Sequence, residues 1–191
     1  MAAGAGCSPG TAAGCGRWAA GSCEGILLVR AWEKVAAVHP DWKLEIWGDG
    51  PERGSLERLV RGKGLEKNVL LRGATGEVQE KLLQSSMLVF PSLFEGFGMV
   101  LVEAMACGVP CVAFECPCGP RDVISPEEDG LLVPPGDTDA LARAIIRLME
   151  QPELRSRLGE AARNKAARYA MDPVCAAWMD LFRQLNSSSS R

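Results

Sequence analysis

Two carboxylates and two glycines form the segment of the chain with the clearest chemical potential. Glu95 and Glu103 lie eight positions apart, and Gly96 and Gly98 follow the first of them. Carboxylates beside a sugar accept hydrogen bonds from pairs of hydroxyl groups, as an acidic residue does for a ribose in dinucleotide-binding folds. The alternative is structural: the glycines only make a turn, and the glutamates are solvated acids that suit the start of a helix. A short Gly-x-Gly does not by itself separate these two interpretations.

The turn after Glu95 leads from a β-rich run into a helical pattern that begins at Met99. Its two glycines permit backbone conformations and close approaches that other residues resist. The first N–H groups of a helix have no acceptor inside it, and those of Phe97 to Val100 would point above the strand. Oriented amides and the helix dipole stabilise negative charge without a metal ion. The pattern therefore predicts a seat for an anion such as a diphosphate.

Helical patterns and short β-rich runs alternate from Ile26 onward, which is typical of a parallel sheet covered by helices on both faces. Such a sheet binds ligands outside the carboxyl ends of its strands, where the turn after Glu95 would lie. We predict an α/β, Rossmann-like domain over residues 26–185. Its five strands are expected at 44–47, 68–71, 87–90, 110–114 and 131–133. Its helices are expected at 26–38, after the turn at 48–51 to about 61, at 77–85, 99–107, from 137 or 138, and at 153–169 and 173–185.

The two ends of the chain differ from this domain. Residues 1–25 contain 7 Ala, 7 Gly and 3 Cys but only two charged residues, Arg17 and Glu24, and have no helical or strand periodicity. We expect this segment to be disordered or an aberrant start, such as the product of a reading-frame error, without the first strand of the sheet. Residues 186–191 are expected to form a polar tail with nothing to pack.

Composition narrows the class of protein. With 191 residues, 47% hydrophobic and 24% charged, the chain has room for one folded domain. A formal net charge of -3 gives no general attraction to nucleic acid. No run of eighteen apolar residues indicates a membrane-spanning helix. Eight cysteines and no signal-peptide pattern favour a reducing, cytoplasmic setting.

The run from Glu95 to Glu103, followed by Ala-Met-Ala-Cys-Gly-Val-Pro, resembles the Glu-x7-Glu motif of retaining glycosyltransferases of family 4, also called glycosyl transferases group 1. These enzymes have the GT-B fold of two Rossmann-like domains. The resemblance covers about residues 26–185 and identifies them as similar to the carboxyl-terminal, donor-binding half. Further segments that are similar, in the same order, are Trp47-Gly48-Asp49-Gly50-Pro51, Leu71-Arg72-Gly73, Cys118-Gly119-Pro120-Arg121-Asp122 and Asp129 to Asp137.

The resemblance implies a hexosyltransferase that takes a sugar, with retention, from a nucleotide diphosphate sugar, which we expect to be a UDP-sugar. It implies no cofactor and no divalent metal. Glu103 would hold the ribose hydroxyls, the amides of Gly98, Met99 and Val100 the diphosphate, and Glu95 the hydroxyls of the transferred sugar as the catalytic residue. Gly96 and Phe97 would belong to the same seat, and the backbone of Gly73 and Ala74 would lie against the base. The acceptor, a glycan or a lipid-linked acceptor, would be bound by an amino-terminal domain that this chain lacks.

The sequence departs from the family pattern where an Arg/Lys pair normally neutralises the leaving diphosphate. Arg17, after Gly16, matches the arginine. The family's lysine follows it by about five residues and precedes a glycine, but here the fifth residue after Arg17 is Ser22 and the residue before Gly25 is Glu24. Arg121 is a second candidate for the phosphate cation, and an ion pair with Asp122 or Glu127 is the structural alternative. Because of this departure, the second hypothesis is a catalytically inactive fragment that binds a nucleotide.

Other readings of the sequence have less support. Cys107, Cys111, Cys116 and Cys118 lack the spacing of a zinc site, and the single histidine, His39, is distant in sequence and is expected at a surface or helix end. The basic helix at 153–169 is expected to be a solvated face, with contact to the inner face of a membrane as the alternative. An NAD-dependent oxidoreductase would need a third glycine after Gly98 and a later acid.

Overall fold

The computed structural model describes residues 11–15 and 24–188. Its strands are β1 (Thr11–Cys15), β2 (Lys43–Trp47), β3 (Val69–Gly73), β4 (Met87–Phe90), β5 (Cys111–Phe114) and β6 (Gly130–Val133). They form one six-stranded sheet in the order β3-β2-β1-β4-β5-β6, with every pair parallel. The predicted Rossmann-like α/β sheet is therefore confirmed, with one strand more than expected.

Eight α-helices connect and follow these strands in the described part of the chain. They are α1 (Glu24–Val38), α2 (Arg53–Gly62), α3 (Val78–Leu83), α4 (Met99–Ala106), α5 (Pro120–Val123), α6 (Thr138–Glu150), α7 (Pro152–Ala166) and α8 (Met171–Ser188), with a 3-10 turn at Ala167–Tyr169 between the last two. The short α5 lies where the sequence analysis expects a loop. No helix of the described residues is long and apolar enough to cross a membrane.

The sheet separates two hydrophobic cores, because successive strand residues point to opposite faces. Met87 and Val89 of β4 join one core, and Leu88 and Phe90 join the other. Helices α1, α2 and α6 contribute to the first core, and α3, α4 and α5 to the second. Helix α7 packs on α4 and reaches the first core through Leu158. This packing positions α4, whose amino terminus follows the carboxyl end of β4.

Strand β1 corrects the expectation for the start of the chain. Thr11–Cys15 lies in the middle of the sheet, with Ala12 paired to Leu44 on one side and to Met87 on the other. Helix α1 also begins at Glu24, two residues before the predicted start. The expectation that residues 1–25 contain no strand is therefore wrong for these five residues. Whether the rest of the segment is aberrant stays a prediction.

The helix ends agree in part with the sequence analysis. Asp137 caps α6 as predicted, because its carboxylate accepts a hydrogen bond of 2.8 Å from the Ala140 N–H. Helix α1 ends at Val38, before His39-Pro40, as the proline predicts. In contrast, α8 continues to Ser188, so the predicted polar tail is wrong for residues 186–188. The remaining residues, 189–191, lie outside the described part.

Two basic side chains of α7 contact other parts of the domain, whereas the sequence predicts a solvated face. Arg155 donates to the Leu148 carbonyl at 3.0 Å and lies over the Trp42 ring. Lys165 forms a half-buried ion pair of 2.8 Å with Asp129. These contacts attach α7 to the body of the domain and leave fewer cations for the membrane contact that the sequence analysis kept as an alternative.

Candidate functional site

The turn after β4 requires glycine at one of its two glycine positions. Gly98 has a φ of +80° and a Cβ there would lie 3.1 Å from Leu101 Cδ1, so another residue would be strained at the start of α4. Gly96 has no left-handed backbone conformation, and a Cβ there would meet no atom within 4 Å. The expected conformational role therefore holds for Gly98 and is wrong for Gly96.

Helix α4 presents free backbone donors at its amino terminus. The Leu101 N–H bonds to the Gly98 carbonyl at 2.9 Å. The N–H groups of Met99 and Val100 donate to no atom of the described residues. Free donors and the positive end of the helix dipole coincide here, which favours an anion on this side of the turn.

A cavity of about 390 Å³ opens at this amino terminus, at the carboxyl ends of the strands. It has carboxylates from Glu95 and Glu103, backbone from the turn, and an apolar wall. The lining residues are Trp47, Gly48, Ala74, Thr75, Val78, Phe90, Glu95, Gly98, Met99, Val100 and Glu103. The location is the one where an open parallel sheet binds its ligands.

Six of the residues proposed from the sequence line this cavity together. They are Ala74, Glu95, Gly98, Met99, Val100 and Glu103. Gly73 does not line the cavity; its carbonyl accepts a hydrogen bond of 2.8 Å from the N–H of Gly48, which does. Gly96 and Phe97 are exposed and do not line it; the Phe97 ring packs edge-on against Tyr169, with centroids 5.7 Å apart.

The two carboxylates have different surroundings. Glu103 is exposed, and its carboxylate has no hydrogen bond or ion pair with the described residues. Glu95 is half-buried, and the Ser92 hydroxyl lies 3.0 Å from its Oε1. The same hydroxyl lies 2.8 Å from Oε1 of Glu24 at the start of α1. Glu95 thus has a hydroxyl of the protein within hydrogen-bond distance, and the Glu103 carboxylate has no such neighbour among the described residues.

Of the two expected phosphate cations, Arg121 does not line this cavity, and the prediction for Arg17 is not tested by the described residues. Among the described residues that line it there is no Lys or Arg. Arg121 is exposed and forms an ion pair of 3.2 Å with Glu115, so neither Asp122 nor Glu127 is its partner as the structural alternative supposed. Glu127 instead binds Arg147, which lowers the pKa of the Glu127 carboxyl through their hydrogen bond. Arg17 lies outside the described residues.

Sequence reasoning missed two contributors to the site. Gly119 has a φ of +89°, and a Cβ there would lie 2.8 Å from the Phe97 carbonyl and 3.2 Å from Glu95 Cβ, so its lack of a side chain lets α5 approach the turn. Trp47 forms part of the cavity wall, with the Lys81 ammonium 5.5 Å from its ring centroid. Both belong to segments that resemble the family, but their contacts depend on the tertiary fold.

The surroundings of the described cysteines and of the histidine do not resemble a metal site. Burial, with Asp129 nearby, raises the pKa of the Cys111 thiol. Burial also raises the pKa of the Cys116 thiol, and the charges of Glu95 and Glu24 raise it further. His39 lies 3.3 Å from Glu150. In the described ranges, no cluster of three or more His, Cys, Asp or Glu side chains could hold a metal ion.

Comparison with protein families gives one match over most of the chain. The family described as Glycosyl transferases group 1 matches residues 26–165. This range includes the cavity and both glutamates.

Relatives and solved structures agree with this match. An exopolysaccharide phosphotransferase of Streptomyces coelicolor is 41% identical over 160 residues, which are 83% of this chain and 17% of that protein. A poly(ribitol-phosphate) alpha-N-acetylglucosaminyltransferase of Staphylococcus aureus is 31% identical over 82% of this chain and 32% of its own length. A crystal structure of S. aureus TarM with UDP and alpha-GlcNAc-glycerol superimposes with a TM-score of 0.83 at 28% identity, over 90% of this chain and 35% of that one. The chain spans about a sixth to a third of the length of these proteins.

Proposed function

The chain belongs to the family of glycosyl transferases group 1, with the fold of the carboxyl-terminal half of GT-B structures, and from this premise we propose that it is the donor-binding half of a retaining hexosyltransferase. The donor is a nucleotide diphosphate sugar, and we propose a UDP-sugar because UDP occupies the similar TarM structure. One observation carries the proposal: Glu95, Glu103 and the amino terminus of α4 line a single cavity.

The diphosphate is proposed to bind at the amino terminus of α4. The N–H groups of Met99 and Val100 have no acceptor in the described chain, and the left-handed Gly98 has no side chain to obstruct them. Amides and a helix dipole keep their orientation during the reaction, so they stabilise charge without reorganising. When the bond between the anomeric carbon and the phosphate oxygen breaks, the leaving diphosphate takes the electron pair and these donors stabilise it.

The nucleoside and the sugar are proposed to lie on opposite sides of that seat. Glu103 is exposed at the cavity, and its carboxylate has no partner among the described residues. It can therefore accept hydrogen bonds from both ribose hydroxyls. Ala74 and Thr75 line the wall for the base. Glu95, next to the turn, accepts hydrogen bonds from hydroxyls of the transferred sugar and is the proposed catalytic residue.

The acceptor is proposed to bind to a separate domain of the complete protein. The relatives are three to six times longer than their region of similarity, so an acceptor domain of the GT-B type has room there. Helix α8 exposes a row of large apolar side chains, and we propose that this domain covers them. A glycan or a lipid-linked acceptor is the proposed substrate of the assembled enzyme.

Titration calorimetry of the chain with UDP, GDP and ADP tests the nucleotide site. UDP should bind saturably, and Glu103→Ala should weaken it about tenfold or more, because hydrogen bonds to a charged group are lost. Glu160→Ala, an exposed glutamate of α7, is the matched control and should leave binding unchanged.

Two outcomes would change the proposal. A folded chain that binds none of the three nucleotides would contradict it. Binding without sugar transfer, even after an amino-terminal half is added, would favour the inactive nucleotide-binding fragment, which agrees with the lack of Lys and Arg among the described residues that line the cavity.

A further inference from the structure

Glu24 is hydrogen-bonded to the segment that follows β4 and leads to Glu95, the candidate sugar carboxylate. Its Oε1 atom accepts two hydrogen bonds, one from the Ser92 hydroxyl at 2.8 Å and one from the Leu93 backbone N–H at 3.1 Å. These contacts cross 68 and 69 positions of sequence and connect the first turn of α1 to the turn before α4. The side chain of Glu24 therefore connects two elements that are distant in sequence.

The Ser92 hydroxyl lies between two carboxylates that cannot both receive its proton. Ser92 is 4% exposed, and its oxygen is 2.8 Å from Glu24 Oε1 and 3.0 Å from Glu95 Oε1. A hydroxyl has one proton to donate, and ionised carboxylates only accept. The Phe94 carbonyl is a third acceptor, at 3.3 Å. The Glu24 oxygen is the nearest of the three, and its second donor, the Leu93 N–H, fixes its place. With the proton directed to Glu24, Glu95 keeps its lone pairs for donors from the cavity.

We propose that Glu24 is a positioning residue for the sugar half of the donor. It fixes the backbone at Ser92 and Leu93, two residues before Glu95, and takes the Ser92 proton, so that the Glu95 carboxylate keeps its acceptor capacity for a sugar hydroxyl. This rests on the proposed function, because Glu95 contacts the sugar only if a nucleotide sugar occupies the cavity. Glu24 does not line the cavity itself and acts through Ser92.

The geometry predicts a loss that is specific to the sugar. Glu103 and the α4 amides are the proposed nucleotide contacts, and neither touches Glu24. Calorimetry of the full chain with UDP and with UDP-N-acetylglucosamine separates the two halves of the ligand. Glu24→Ala should weaken the nucleotide sugar about tenfold and change UDP less than about twofold, since one hydrogen bond to a charged group corresponds to about this ratio. Glu24→Gln keeps the oxygen that accepts from Ser92 and Leu93, so it should retain most of the affinity.

Two controls make the result specific. Glu33→Ala removes another α1 glutamate, one that pairs with Lys63, and should change neither ligand. Hydrogen exchange at the Leu93 amide, measured without ligand, should be faster in Glu24→Ala and close to wild type in Glu24→Gln. Thermal unfolding of each variant confirms that the chain is folded.

Several results would overturn the proposal. They are equal weakening of UDP and of the nucleotide sugar in Glu24→Ala, no weakening of either, a Glu24→Gln loss as large as that of Glu24→Ala, or unchanged exchange at Leu93. Failure of the wild-type chain to bind UDP is a different outcome, since it contradicts the proposed function. In that case the Leu93 exchange alone decides whether Glu24 holds the segment.

Discussion

Helices α7 and α8 follow each other at the end of the chain, but they have opposite surroundings. The described residues of α7 include four that are buried, Leu158, Gly159, Ala162 and Ala166, although the helix is rich in charge. Every residue of α8 from 171 to 186 is exposed, although the helix is rich in large apolar side chains. These are Met171, Val174, Trp178, Met179, Leu181, Phe182 and Leu185. Apolar content therefore does not decide burial here; what decides it is whether the domain offers a surface to cover the helix.

The largest expected difference in the free energy of unfolding is between a substitution in the core face of α7 and one on the exposed face of α8. Leu158→Ala leaves a cavity in a fully buried position and should lower the free energy of unfolding by about 2–5 kcal/mol. Trp178→Ala removes a side chain that is 55% exposed and should change it by less than about 0.5 kcal/mol. Urea unfolding of both variants measures the two values. A similar loss for Trp178→Ala would mean that α8 is already covered, for example by a second copy.

A smaller effect should come from the closest approach of α7 to the rest of the domain. A Cβ at Gly159 would lie 2.3 Å from the Gly108 carbonyl oxygen, so Gly159→Ala must push α7 away from α4. We expect a loss of about 1–3 kcal/mol in the free energy of unfolding. Gly62→Ala, in α2, is the matched control: a Cβ there meets nothing within 4 Å, and better helix propensity should leave the chain unchanged or slightly more stable. Equal effects of the two substitutions would contradict the contact.

The smallest effect concerns two thiols, Cys111 beside the core that α7 covers and Cys175 on α8. Burial raises the pKa of Cys111 above its ordinary value of 9.0. From about pH 9 upward the unfolded chain loses this proton first, so stability should fall as pH rises, with a slope that approaches about 1.4 kcal/mol per pH unit; this contribution is fully present well below pH 9. Cys111→Ala should show a shallower decline in urea unfolding between pH 9 and 10.

Cys175 supplies the contrast for that measurement. It is exposed, so Cys175→Ala should leave the pH dependence unchanged. Iodoacetamide followed by mass spectrometry should label Cys175 in the folded chain and label Cys111 only after unfolding. Protection of Cys175 would show that something covers α8.

Sequence periodicity predicted the elements whose residues have strong local preferences. The strand at 87–90 and the start of α4 at Met99 have the expected bounds, because apolar β-formers and a glycine-bracketed turn define them locally. Strand β1 was missed because Thr-Ala-Ala-Gly-Cys contains few residues that favour a strand. Its conformation comes from pairing between β2 and β4, and strand preference depends on such context.

The candidate site was predictable to a similar extent. Glu95, Gly98 and Glu103 could be selected because their spacing and the turn between them are local features. The tie from Glu24 to Ser92 could not, because its two ends are 68 residues apart and Glu24 has no local pattern that marks it.

The central place of β1 affects how the chain can fold while it is being made. Ala12 pairs with Met87, which is synthesised 75 residues later. At about 5–20 residues per second, this strand waits roughly 4–15 seconds for that neighbour. During this interval β1 and the edge of β2 carry unpaired backbone groups that can form hydrogen bonds with a strand of another chain. A nascent chain of this protein therefore depends on being kept apart from its neighbours until β4 has left the ribosome.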